Sequence, residues 1–364
     1  MRSTDQKYEF GIALDPAKRR RTRRRTLGAV AAAALVSAAA YAATIDIDVG
    51  NGMRVPVDPS QPLKIAMFMP ALNTSYLQAN IKGAQDEAAK VGATVNVFDA
   101  KFDPMNQLNQ MQNAIQTKQY NAFLVFPLAG QVICKVATED APKAGILVSA
   151  YHFSFCNTTF DADDKQWAPG TLQYVGGSSS YPIFVKYLTE IAKTNPGPQK
   201  VGILTGLELA DDTLRIKRAV DELKTQFPQF QVVDNQHTDY TIPDAQKHAQ
   251  NMIQSHPDIS IIITTYSNIT RAAVNALEQA GKAGSIKIYD FGGTSWSKKA
   301  IESGQVVATV PFYAYTATVV AVRNLAAAHQ GKQVPHYIPN DGGPADAAVI
   351  VDKSNVDQFK PESD

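Results

Sequence analysis

Residues 64–99, KIAMFMPALNTSYLQANIKGAQDEAAKVGATVNVFD, read as strand, loop, helix and strand, and that order leaves few folds open to the chain. The run 64–69 is short and mostly apolar, as in a strand covered on both faces, and Pro70 has no N–H to continue a ladder. From Thr74 the period changes. Leu77, Ile81, Ala84, Ala88 and Val91 share one helical face, Lys82, Gln85, Asp86 and Lys90 lie off it, and Gly92 stops the helix. Residues 94–98 are β-branched and apolar again, so the unit is βαβ, parallel and right-handed. Its loop 71–75 then lies at the carboxyl end of a strand and the amino end of a helix, where open α/β sheets hold ligands.

The alternation continues through the chain. A helix over 104–118 carries Leu108, Met111 and Ile115 in phase, and strand 122–126, helix 131–143 and strand 146–150 follow. An Asp-rich loop, 161–171, interrupts before strand 172–176. A second set opens with helix 180–193, strand 200–204 and helix 213–226, in which Ile216, Ala219, Val220, Leu223 and Phe227 form one stripe. It goes on with strand 230–235, helix 243–255, strand 259–264, helix 268–280 and strand 286–291. Helix 296–303, strand 306–310, helix 313–329 and strand 347–351 complete it. Two such sets predict an α/β fold of two similar doubly wound parallel-sheet lobes.

Charge divides the chain unevenly. Residues 1–43 hold nine Lys/Arg against three Asp/Glu, and the remainder 26 against 31, so the net +1 conceals a body at −5 that gives no support for a nucleic-acid partner. The basic block 18–25, the Ala-rich apolar run 27–39 and the small-x-small triplet Ala40-Tyr41-Ala42 read as an export signal, either cleaved or kept as an anchor. A basic nucleic-acid arm is the third reading, and Arg24-Arg25 also fits a twin-arginine signal. Residues 44–61, with Gly, Asn and Pro breakers, read as a linker, and 353–364 as a tail.

Four motifs carry a family resemblance. They are Leu72-Asn73-Thr74-Ser75-Tyr76, Gly83-Ala84-Gln85-Asp86-Glu87-Ala88, Ala276-Leu277-Glu278-Gln279-Ala280-Gly281-Lys282 and Gly304-Gln305-Val306-Val307-Ala308-Thr309. Over residues 61–352 the chain resembles the type I periplasmic binding proteins of ABC importers, in their ribose- and sugar-binding group. The resemblance implies discontinuous lobes, one of 62–176 plus 313–335 and the other of 177–312 plus 336–352. They would be joined by a three-segment hinge near Gly177, Phe312 and Pro335. It further implies an exported, monomeric receptor without a cofactor, which closes on a small molecule and presents it to the membrane subunits of an ABC importer.

The resemblance also implies where the ligand is held. Thr74 and Tyr76 fall in the first loop, and Tyr151 and His152 where the family usually has Asp-Arg. Arg215 keeps a basic residue near the start of a helix. Tyr266 stands where Asn is common, Gly292 where an Asp is, and Phe312 where a Gln is. The departures exchange charged and amide groups for aromatic or small ones, which favours a flatter, less hydroxylated or aromatic ligand over an ordinary pentose or hexose.

Taken without the resemblance, these residues have plainer readings. Tyr151 and Tyr266 fit core or rim positions, and Arg215 a solvated helix face. Asp211-Asp212-Thr213 fits a helix cap rather than a metal site, and His237-x-Asp239 is no metal motif. The sequence has no P-loop, no GxGxxG after a strand, no G-x-S-x-G, no H-E-x-x-H and no C-x-x-C, so no catalytic residue is assigned and the chain is read as a non-enzyme. An exported α/β enzyme and a membrane-anchored sensory domain are the rival readings. Cys134 and Cys156 make an even count in an exported chain, and they follow neighbouring strands at the same sheet edge, which predicts a disulfide; two buried free thiols are the alternative.

Overall fold

The computed structural model describes residues 44–364, so the export signal expected over 1–43 lies outside the described residues. Where a linker was expected, the chain forms an antiparallel hairpin of β1 (Ile45–Asp48) and β2 (Arg54–Val57), with Ile45 opposite Val57 and Asp48 opposite Arg54. The reason is a period of two. Ile47, Val49, Val55 and Val57 are buried while Asp46, Asp48 and Arg54 point to water, and the supposed breakers Gly50, Asn51 and Gly52 take the positive φ the turn needs.

The first sheet is built from β3 (Lys64–Met69), β4 (Thr94–Asp99), β5 (Ala122–Val125), β6 (Leu147–His152) and β7 (Gln173–Gly176), all parallel, in the order β7-β6-β5-β3-β4. Its helices are α1 (Ser75–Val91), α2 (Pro104–Thr117) and a π-turn, Val136–Asp140, leading into α3 (Ala141–Lys143). The second lobe alternates α4 (Tyr181–Thr194), β8 (Gln199–Thr205), α5 (Asp211–Gln226), β9 (Phe230–His237), α6 (Ile242–Ser255), β10 (Ile261–Thr264), α7 (Ser267–Gln279), β11 (Lys287–Gly292), α8 (Ser295–Ser303) and β12 (Ala308–Pro311). Its parallel strands run β12-β11-β10-β8-β9, so the two sheets share one topology.

The chain then returns to the first lobe as α9 (Ala314–His329), which lies against α1. The contact explains part of the Gly-Ala-x-x-Glu-Ala motif. A Cβ on Gly83 would lie 2.4 Å from the Tyr315 carbonyl oxygen, so only glycine lets the helices meet, and Glu87 accepts from Arg323 Nε at 2.8 Å across the same seam.

The third crossing departs from the expected boundary. β13 (Tyr337–Ile338) pairs in parallel with β7, so residues 336–338 belong to the first sheet and the crossing lies in 339–350, beyond Pro335. The strand expected over 347–351 shrinks to β14 (Val351–Asp352), antiparallel to β12. Asn340 and Asp341 turn this crossing with φ of 55° and 51°. Asp341 also joins all three crossings, because its Oδ2 accepts from the Ser178 hydroxyl after β7 and, at 3.4 Å, from the Tyr313 N–H after β12.

Two further ties shape the molecule. Cys134 and Cys156 form a disulfide that holds the loop after β6 against the turn after β5. The tail spans both lobes. Phe359 is buried in the second lobe and the Ser363 carbonyl accepts from Ser295 N–H at 2.7 Å, while Glu362 accepts from Thr316 N–H at 3.0 Å and the Asp364 carbonyl from the Ser75 hydroxyl in the first.

Candidate functional site

Parallel strands leave unpaired backbone groups and helix amino ends at their carboxyl edge, and the loops there are free to carry side chains into a crevice. In this chain one cavity, of about 60 Å³, collects residues that follow such edges in both sheets. Pro70, Thr74, Tyr76 and Leu77 come after β3, Phe102 after β4, Phe126 and Leu128 after β5, and His152 and Phe153 from the end of β6. From the second lobe come Asp212 after β8, Tyr240 after β9, and Thr265 and Tyr266 after β10; Phe312 arrives from the hinge.

Most of this wall is aromatic, and rings meet across the lobes. Phe102 stacks on Tyr240 with centroids 5.4 Å apart, and Tyr76 meets Tyr266 edge-on at 6.2 Å. His152 packs between Phe153 at 4.5 Å and Phe312 at 4.8 Å. The lobes therefore stand closed on one another, with edge and offset ring geometries of the favourable kind.

The polar groups of the wall are few and mostly engaged. Thr74 caps α1, its hydroxyl accepting from Leu77 N–H at 3.2 Å. The Tyr76 hydroxyl is 3.1 Å from His152 Nδ1. Burial and the nearby Arg215 charge drive the His152 pKa down to about 3, so its ring is neutral at ordinary pH. Asp212 Oδ1 accepts from the Tyr240 hydroxyl at 2.9 Å. Burial raises the pKa of Asp212, and the adjacent Asp211 adds to the rise. Thr265, buried in the wall, is close enough for its hydroxyl to favour the charged carboxylate, and among the described residues nothing donates to that hydroxyl.

Of the positions the resemblance implied, Thr74, Tyr76, His152, Tyr266 and Phe312 converge on the cavity. Three lie elsewhere. Tyr151 lies behind the wall, its ring edge-on to Phe126 at 5.4 Å and its hydroxyl hydrogen-bonded to Met69 Sδ at 2.9 Å, inside the first lobe. Gly292 ends β11 at φ 129°, and its carbonyl accepts from Phe312 N–H at 3.0 Å, which serves the hinge. Arg215 is wholly buried as an interlobe tie: Nε donates to the Thr159 carbonyl at 2.8 Å, Nη1 to the Ser179 carbonyl at 2.8 Å and Nη2 to Asp211 at 3.2 Å.

The cap reading of Asp211-Asp212-Thr213 also needs correcting. The residue before α5 is Ala210, which makes no side-chain cap, and both Asp residues lie inside the first turn, Asp211 on Arg215 and Asp212 on the cavity. Among the described residues no three His, Cys, Asp or Glu side chains gather as metal ligands, and no helix is long and apolar enough to cross a membrane.

Comparison with known proteins agrees with this geometry. The profile of the family described as Periplasmic binding protein domain matches residues 65–333. The ribose import binding protein of Escherichia coli strain K12 is 25% identical over 76% of this chain and 85% of its own length, and the D-allose-binding periplasmic protein of the same organism is 23% identical over 71% and 82%. Among solved structures, a Caulobacter myo-inositol binding protein bound to myo-inositol superposes with a TM-score of 0.70 at 19% identity, covering 82% of this chain and 96% of that one. An ABC transporter solute binding protein from Agrobacterium vitis with bound D-fucose reaches 0.71 at 18% identity, over 81% and 97%. With two lobes of one topology, three crossings and a cavity at the facing strand ends, the chain belongs to the type I periplasmic binding proteins, two-lobed receptors for small ligands.

Proposed function

We propose that this protein is an exported solute receptor that closes its lobes on a small, flat, sparingly hydroxylated molecule and delivers it to the membrane subunits of an ABC importer. The observation that carries the reading is the composition of the cavity. Both lobes send aromatic rings to it, and the Tyr76, Thr74 and Tyr240 hydroxyls of the wall are already bonded within the protein. A ring hydroxyl needs a free partner at nearly every position, so such a wall favours stacking and apolar burial over the recognition of an ordinary pentose or hexose. Relatives named for ribose and allose set the size of ligand to consider. The absence of a catalytic motif in the sequence and the solute-binding character of the relatives support binding without turnover.

The test is a thermal-shift screen of the purified protein against sugars, polyols, aromatic acids, nucleosides and amines, followed by solution scattering with any hit. A ligand held at 100 times its dissociation constant adds about 2.7 kcal/mol of stability. The receptor reading requires the free protein to open in solution, so that closure on the ligand to the arrangement described above reduces the radius of gyration. A ligand that binds and is chemically altered, or a saturating one that leaves the scattering unchanged, overturns the receptor reading.

A further inference from the structure

We infer that the ligand of this cavity is a small organic cation, a protonated amine whose N–H groups are received by Asp212 and Thr265 and whose body lies among the rings. The inference rests on the receptor reading above and adds the charge of the ligand to it. Its first support is the charge left in the wall. Arg215, one turn along α5, spends its guanidinium on Asp211 and the Thr159 and Ser179 carbonyls, and among the described residues no Lys or Arg pairs with Asp212. His152 is neutral. One carboxyl group therefore faces the cavity without a basic partner.

The second support is an acceptor beside that carboxyl group. Tyr76 and Thr74 are committed to His152 and to the α1 backbone, and the Tyr240 hydroxyl to Asp212. Thr265, 3% exposed, lies in the wall close enough for its hydroxyl to support the charged form of Asp212, and among the described residues nothing donates to that oxygen. A buried oxygen without a partner carries a desolvation cost that a ligand donor removes. An ammonium N–H supplies donors to both oxygens at once, and its charge offsets the burial that makes ionised Asp212 unfavourable.

The rings add a third. Their faces are electrostatically negative, and Tyr76, Phe102, Tyr240, Tyr266 and Phe312 surround the space beside Asp212. A cation gains from any of these faces that it meets, and a carboxylate or phosphate does not. A quaternary ammonium would gain from the rings but would leave Thr265 without a donor, which is why the structure points to a protonated amine instead.

Calorimetry on the purified protein decides this, using a panel of primary amines from ethanolamine to 2-phenylethylamine and tyramine. 2-Phenylethanol serves as a neutral isostere, choline as a quaternary cation, and ribose and myo-inositol as sugars. The expected result is at least tenfold tighter binding of an amine than of its alcohol isostere, with choline intermediate. Asp212→Asn should remove that discrimination and Thr265→Val should weaken the amine severalfold, with melting temperatures showing that both variants are folded. A sugar that binds better than every amine, or an amine held equally by the parent and Asp212→Asn, overturns the cation inference and leaves the receptor reading standing. Silence across amines and sugars alike counts against both.

Discussion

Replacing Asp341 with Asn isolates the titration of the group on which the three interlobe crossings meet. The carboxyl is fully buried and accepts from Ser178 and the Tyr313 N–H, and its Oδ1 has no partner among the described residues. Burial raises its pKa from 3.8 to about 7. The folded protein therefore holds a proton there that the unfolded chain has lost, and stability falls as pH rises from near 4 through 7. One pK unit is worth about 1.4 kcal/mol, so the whole rise amounts to ~4 kcal/mol, of which about 2–3 kcal/mol falls between about pH 5 and 8.5. Asn is nearly isosteric and accepts the left-handed backbone of this residue, φ 51°, so the variant keeps the turn and lacks the titration. His152, 4.0 Å from Asp341 Oδ2, has its pKa depressed to about 3 and destabilises the fold as pH falls below its unfolded value; both proteins carry that histidine, so its slope enters the difference only through its contact with Asp341. Urea melts across this pH range should show the parent losing about 2–3 kcal/mol relative to Asp341→Asn on going alkaline. Parallel stability curves would refute the reasoning, and so would a parent that gains on the variant as pH rises.

Once a ligand is in hand, Tyr266→Ala and Phe312→Ala should each cost about 1 kcal/mol or more of binding free energy, while Tyr151→Phe leaves the titration isotherm unchanged, since that hydroxyl is hydrogen-bonded to Met69 and does not line the cavity. Arg215→Ala leaves the Asp211 carboxylate buried without its cation and two carbonyls without a donor, so unfolding free energy from denaturant melts should fall by about 3–5 kcal/mol; a loss below ~1 kcal/mol would mark the tie as incidental. Ending the chain at Phe359 removes the contacts that carry the tail from Ser295 to Thr316 and Ser75, and solution scattering should show a larger radius of gyration for the shortened protein. Superimposable scattering profiles would show that the tail does not hold the lobes together.

The fold was legible because its signals are periodic and local. Apolar runs between helical stripes gave β3 to β6 and β8 to β11 within a few residues, and parallel pairing followed from the crossovers. Two errors have the same origin. The hairpin β1–β2 alternates over only four residues a side, and Gly50-Asn51-Gly52 looks the same in a tether as in a turn. β13 is two residues long, too short for any period, and its place beside β7 is set by tertiary pairing rather than by its own sequence.

The site divides along another line. Tyr76, His152, Tyr266 and Phe312 could be placed because each lies at a strand end or its following loop, a position that fixes direction as well as location. Tyr151 shows how narrow that rule is: one residue before His152 on the same strand, it is buried behind Phe126 with its hydroxyl on Met69 Sδ, while the left-handed backbone of His152, φ 64°, turns the next side chain into the cavity. Asp212 was hidden for a different reason. An Asp pair before a helix satisfies the cap pattern, and only the position of the turn reveals that α5 begins at Asp211, with one carboxylate drawn to Arg215 and the next turned toward the rings. Adjacent residues in a helix point about 100° apart, so a single pairing of Asp211 with Arg215 is enough to commit Asp212 to another face. The pair is one motif in the sequence and two environments in the fold: Asp211 is held by Arg215 in the tie between the lobes, and Asp212, without that cation, lines the cavity beside Tyr240.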